Sequence, residues 1–118
     1  MDKEQIRDYC LSFPGATEQV QWGSDLLFKI GGKMFACVNL EPAELRTLNL
    51  KCDPEMFAEL TEREGIVPNK YLSRYHWISI RSIESLRKKE LLGLIRASYD
   101  MVLAKLPRKF QAEIAAIA

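Results

Sequence analysis

Apolar residues along this chain change spacing several times, and each change marks an element. Ile6, Tyr9, Cys10 and Phe13 recur at three- and four-residue intervals, the spacing of one helix face. Asp2 with Gln5 three residues later reads as a capping box ahead of that face, and Pro14-Gly15 closes it. A polar loop follows. Leu26-Leu27-Phe28-Lys29-Ile30 and the run from Lys33 to Leu40 then flank Gly31-Gly32. Two β-rich runs around a glycine pair predict a hairpin, because glycine reaches positive φ at little cost. Glu41-Pro42-Ala43-Glu44 predicts the next turn. From Leu45 to Lys51 the chain alternates, with Leu48 and Leu50 on one side and Thr47, Asn49 and Lys51 on the other, as in a half-buried strand.

Asp53-Pro54-Glu55 is a helix start, with Asp as N-cap, proline at the first helical position and an acid in the first turn. That helix carries Phe57 and Leu60 and stops near Gly65. The stretch from Pro68 to Ser73 reads as irregular, and His76 to Arg81 as a strand. Ser85 is expected to cap a long helix with Leu91, Leu94, Ile95, Val102 and Leu106 on one face, and Pro107 breaks it before a short helix from Phe110 to Ile117. Hairpin-length turns make the sheet mostly antiparallel, so the expected class is α+β, one domain spanning residues 1–118.

Composition narrows the partners rather than the fold. The chain has 118 residues, 47% hydrophobic and 28% charged, which suits an ordinary globular domain. No apolar run reaches the ~20 residues of a membrane span, and the polar start Met-Asp-Lys-Glu-Gln lacks the apolar segment of a signal peptide. Three cysteines without a C-x-x-C pair predict free thiols in a reducing cytoplasm. The net charge of +1 hides an asymmetry. Up to Asn69 there are 7 basic and 12 acidic side chains, and from Lys70 onward 10 and 4. This predicts a basic surface for an anionic partner, unless folding interleaves the halves.

Catalytic motifs are missing. There is one histidine, no H-x-x-x-H, no G-x-S-x-G and no phosphate-cradling glycine loop. The expectation is a non-enzymatic protein with no catalytic residues, no metal site and no cofactor. His76 sits in the segment Asn69-Lys70-Tyr71-Leu72-Ser73-Arg74-Tyr75-His76-Trp77-Ile78-Ser79. Strand alternation would turn His76 inward with Ile78 and Ile80, and turn Tyr75, Trp77, Ser79 and Arg81 to the other side. An aromatic and guanidinium face of that kind stacks bases and contacts phosphates; alternatively, Trp77 packs beneath a helix or loop. Register around Gly31-Gly32 stays open: a two-residue loop pairs Ile30 with Lys33 and Phe28 with Phe35, and a three-residue loop pairs Ile30 with Met34. Arg87-Lys88-Lys89 is placed in the first turn of the long helix, either to hold a phosphate near free N–H groups or as solvated charge.

Several motifs occur in a recognisable order: Phe13-Pro14-Gly15, the hairpin from Phe28 to Ala36, Asp53-Pro54-Glu55, Lys70 to His76-Trp77, Ala97-Ser98-Tyr99 and Leu106-Pro107. In that order and over nearly its whole length the chain resembles the MmcQ/YjbR-like family. The resemblance implies a small bacterial protein with an α-β3-α-β2-α fold, similar to type III secretion chaperones and CyaY-like (frataxin-like) domains. Members are also likened to a double-wing DNA-binding domain, and the label of DNA-binding protein follows from that analogy of fold. The resemblance adds a fifth strand, near Lys70 to Leu72, and gives no catalytic residues. It also marks a departure, since relatives tend to be acidic where this chain has Arg87-Lys88-Lys89. The leading expectation is a cytoplasmic DNA-binding module using Lys70, Arg74, Trp77, Arg81, Arg87 and Lys88. The runner-up is a protein-binding, chaperone-like module or homodimer.

Overall fold

The computed structural model describes residues 1–21, 23–41 and 47–118. Helix α1 (Lys3–Leu11) starts as its sequence predicts: the Asp2 carboxylate accepts from the Gln5 amide while the Gln5 side chain accepts from the Asp2 amide. Strands β1 (Thr17–Gln21), β2 (Asp25–Ile30) and β3 (Lys33–Asn39) form a meander, and β4 (Leu48–Lys51) follows. Asp53 caps α2 (Pro54–Glu62) by accepting from the Glu55 amide. Then come β5 (Ile66–Pro68), a 3₁₀ turn (Ser73–Tyr75), β6 (Trp77–Ile80), a second 3₁₀ turn (Ile83–Ser85), α3 (Lys88–Ala104) and α4 (Arg108–Ile117). One open sheet results, wholly antiparallel, in the order β1-β2-β3-β4-β6-β5.

Six strands replace the expected five. β1 occupies the stretch read as a polar loop, because an edge strand exposed on both faces carries no apolar alternation. The strand expected near Lys70 to Leu72 lies instead at Ile66–Pro68, and residues beyond it turn. Ser85 does not cap α3: the cap position is Arg87, which makes no side-chain capping bond, so Lys88 and Lys89 occupy the first turn. The expected turn at Pro42-Ala43-Glu44 and the first residues of the Leu45 to Lys51 strand lie outside the described residues.

The hairpin keeps the two-residue turn, with Gly31 at φ 57° and Gly32 at φ 77°, and Ile30 pairs with Lys33. A bulge then shifts the register, so that Lys29 faces Met34 but Phe28 faces Ala36. Phe35 is the extra residue, and the bulge lets both Phe35 and Ala36 enter the core. That core lies on one sheet face, where Phe28, Ala36, Val38, Leu48, Leu50, Ile78 and Ile80 meet buried residues of all four helices: Ile6, Leu60, Leu91, Ile95 and Ile114 among them. Phe13, Phe35 and Tyr99 stack in its centre, and the Tyr99 hydroxyl donates to the Pro14 carbonyl at 2.6 Å. Across the sheet Leu27, Cys37 and Trp77 are also buried.

Candidate functional site

The β5–β6 connection decides where the aromatic and basic residues of the sequence segment go. Asn69 organises it. Its Oδ1 accepts from the amides of Tyr71 and Leu72 at 3.0 and 2.9 Å, while its Nδ2 donates to Asn49 Oδ1 and Ser79 Oγ at 3.1 and 3.2 Å. The Ser79 hydroxyl in turn donates to Asn49 Oδ1 at 2.6 Å. His76 is not a strand residue and does not join Ile78 and Ile80. It holds φ 64°, the one non-glycine residue at positive φ among the described residues, and turns the chain out of the 3₁₀ turn into β6. Its amide donates to Ser73 and its carbonyl accepts from the Cys52 amide, both at 2.9 Å, which holds the left-handed geometry in place. The half-buried ring meets Phe57 edge-on at 5.4 Å.

Trp77 opens β6 opposite Lys51, the last residue of β4. It is only 6% exposed, so its ring is a wall and not an open platform. It lines a hollow of about 280 Å³ with Lys33, Met34, Lys51, Val102, Lys105 and Leu106. A second hollow of about 480 Å³ adjoins it, lined by Lys51, Pro54, Arg74, Tyr75, His76, Met101, Ala104 and Lys105. Lys51 and Lys105 belong to both. Together the two form one cleft between the end of the sheet and the C-terminal turn of α3. Among the described residues that line it are four cations, Lys33, Lys51, Arg74 and Lys105, and no carboxylate. Burial lowers the pKa of Lys51, and the like charge of Lys105 beside it lowers it further. Tyr75 is 52% exposed, and the Arg74 guanidinium lies 5.1 Å from its ring centre. Lys70 stands in the same way at 5.5 Å from Tyr71, which is 79% exposed.

Arg81, Arg87 and Lys88 lie elsewhere. Arg81 follows β6 at its far end, roughly 13 Å from Trp77 at strand rise. Arg87 and Lys88 begin α3, seventeen residues long, whose other end forms the cleft. Arg87 lines an open hollow of about 670 Å³ with Arg63, Lys89 and Glu90. There Glu90 already accepts two hydrogen bonds from Arg63, at 2.7 and 2.9 Å. The six residues singled out in the sequence therefore divide: Arg74 and Trp77 share the cleft, Lys70 is on the adjoining turn, and Arg81, Arg87 and Lys88 are at the opposite end. Sequence reasoning missed Lys33, Lys51 and Lys105. Each is an isolated lysine, and the one local trace of the site is the alternation that sets Lys51 on the side of β4 opposite Leu48 and Leu50.

Buried thiols complete the chemistry. Cys10, Cys37 and Cys52 are free, and burial pushes their pKa values up to about 12, 12 and 11. They are protonated at neutral pH and poor nucleophiles. Among the described residues no group of three or more His, Cys, Asp and Glu side chains is placed to hold a metal ion. No helix among them is long and apolar enough to cross a membrane.

A six-stranded antiparallel open sheet with four helices contributing to the core on one face defines a single-domain α+β protein. A family model described as YjbR matches residues 11–101, and the chain belongs to that family. It is 28% identical over 112 residues to the uncharacterised protein YjbR of Escherichia coli strain K12, covering 92% of this chain and 93% of that one. It is 36% identical over 58 residues to the uncharacterised protein YyaQ of Bacillus subtilis, about half of each chain. The crystal structure of Deinococcus radiodurans DR2400, a DUF419 domain, superposes with a TM-score of 0.85 at 27% identity, covering 95% of this chain and 86% of that one. A Pseudomonas syringae protein shares the fold, with a TM-score of 0.71 at 24% identity over 86% of this chain and 98% of that one.

Proposed function

We propose that this domain is a non-enzymatic nucleic-acid-binding module of the cytoplasm whose strand-binding surface is the cleft between β4, β6 and the end of α3. The observation that carries this reading is the composition of the cleft: Lys33, Lys51, Arg74 and Lys105 with no carboxylate among the described lining residues. A polyanion gains from such a concentration of unopposed positive charge by releasing its counterions. Arg74 beside the exposed ring of Tyr75 supplies a phosphate contact and a stacking surface together. Lys70 with Tyr71 repeats that pairing on the adjoining turn. Three free, buried thiols fit a reducing compartment.

Fluorescence anisotropy with labelled single-stranded and duplex DNA over a salt series tests the reading. Affinity should fall steeply with salt, and Arg74→Glu should weaken binding and reduce the salt slope by about 0.7–0.9 per lost phosphate contact. Tyr75→Ala should weaken single-strand binding more than duplex binding. Absence of binding at about 50 mM salt would reject the proposal.

One observation favours a second reading, a protein-binding module. On the sheet face opposite the core a hollow of about 500 Å³ is lined by Asp25, Met34, Cys37, Asn49, Asn69, Tyr71 and Leu72. Light scattering on the purified protein separates a self-associating module from a monomeric one.

A further inference from the structure

Within the cleft one point is more specific than a basic surface. Lys51 and Lys105 come from elements far apart in sequence, yet both line the hollow beside Trp77 and the one that adjoins it. The charged neighbour of Lys51 in this hollow is of like sign, and among the described lining residues there is no carboxylate. Two adjacent ammonium groups repel, and the repulsion grows where apolar walls exclude water. Here those walls are Trp77, Met34, Val102 and Leu106, and Lys33 closes the rim as a third cation. An anion seated between them relieves that repulsion and gains from both charges.

The charge and size of the hollow select the anion. An internal phosphodiester brings one negative charge, whereas a phosphomonoester carries about 1.5 to 2 near neutral pH and three acceptor oxygens. The monoester therefore offsets both ammonium charges at once and offers an acceptor to each of three lysines. At about 280 Å³ the hollow admits a phosphate with part of its attached group, and not a base pair. The adjoining hollow, with Arg74 and Tyr75 at its rim, has room for what the phosphate is attached to.

We infer that the hollow formed by Lys33, Lys51, Lys105 and Trp77 is a phosphomonoester seat, occupied by the terminal phosphate of a nucleic-acid strand or of a small phosphorylated ligand. The strand-end form rests on the nucleic-acid reading above; the small-ligand form does not.

Oligonucleotides of one sequence carrying a 5′-phosphate, a 3′-phosphate or hydroxyl ends only separate these sources, with inorganic phosphate and adenosine monophosphate as competitors. One phosphorylated strand should bind about tenfold tighter than its hydroxyl counterpart, as a charge-assisted contact to a doubly charged group requires. Lys105→Gln, an exposed position, should erase that difference while leaving the dependence on Arg74 intact. Lys33→Gln provides a second exposed variant should the first perturb the helix end. If no oligonucleotide binds but inorganic phosphate or adenosine monophosphate still binds in a Lys105-dependent way, the seat stands and the nucleic-acid reading falls. Equal affinity for all three strands, with neither competitor binding, overturns the seat itself.

Discussion

The Ser98 hydroxyl stands between two strands: it donates to the Phe35 carbonyl at 2.6 Å and accepts from the Lys51 amide at 3.0 Å. The Asn39 amide bonds the Thr47 carbonyl and Cys37 faces Asn49, so Phe35 and Lys51 would be the next hydrogen-bonded pair of the β3–β4 ladder. Beside the bulge that pair parts, and a side chain of α3 fills the gap. Ser98 is fully buried, so water cannot take its place without repacking. The same hydroxyl anchors the backbone of Lys51, and through it the cleft.

Ser98→Ala should destabilise the protein by about 1–3 kcal/mol, because it orphans a buried carbonyl and an amide together. Urea denaturation with an unchanged m-value is the expected result. A loss below about 0.5 kcal/mol would mean the strands close directly and the hydroxyl is dispensable.

Two glycine substitutions should act with opposite sign. At Gly31 an added Cβ would lie 2.7 Å from Leu106 Cδ1, on a backbone already at φ 57°. Gly31→Ala should cost about 1–3 kcal/mol and loosen the contact of the hairpin with Leu106 and Phe110. Gly93 lies exposed within α3, where an added Cβ meets nothing within 4 Å. Gly93→Ala should stabilise by about 0.5–1 kcal/mol through helix propensity. Thermal melts of both variants check the pair.

What could be read in the sequence was what rests on local chemistry. The Asp2–Gln5 capping box, Asp53 with Pro54, and the Gly31-Gly32 turn each determine their element within a few residues. Thr17–Gln21 was hidden because an edge strand with exposed side chains is defined only by its pairing with β2. Ile66–Pro68 was hidden because three residues ending in proline show no period. His76 misled because alternation assumes the strand continues, and the chain reverses hand at that residue. For the site, the uneven charge count pointed to residues after Asn69, whereas Lys33 and Lys51 come from the acidic half. Folding interleaves the halves, and cations unremarkable singly acquire meaning only where β3, β4 and α3 converge.

The ion pair of Arg63 with Glu90 predicts a pH dependence at the other end of α3. The Arg63 hydrogen bond holds the Glu90 carboxyl below its ordinary value, against a smaller opposing effect of burial. A depressed folded-state pKa means the contribution is complete above the unfolded value, about 4.3, and is lost as pH falls through the folded one. Both side chains are about 40% exposed, at 39% and 41%, so the pair is worth about 0.2–1 kcal/mol. Glu90→Gln should remove that part of the acid sensitivity, and the difference from the wild-type protein should shrink at high salt. Stability measured from pH 7 to pH 3 in both proteins shows it. A parallel decline of the two curves would mean that the pair carries none of it.

Trp77 and Tyr75 are two residues apart and should behave in opposite ways. Trp77 is 6% exposed and fills the wall between β6 and the end of α3, so Trp77→Ala opens a cavity and should cost about 3–5 kcal/mol. Tyr75 is 52% exposed, with Arg74 as its ring partner, so Tyr75→Ala should change stability by no more than about 0.5 kcal/mol. A loss of nucleic-acid affinity in Trp77→Ala therefore reports on folding first, and only Tyr75→Ala isolates a stacking contact. Denaturation curves should be collected before any titration. If Trp77→Ala proves as stable as Tyr75→Ala, the indole is not the wall of the hollow, and the tryptophan returns as a direct contact for bases.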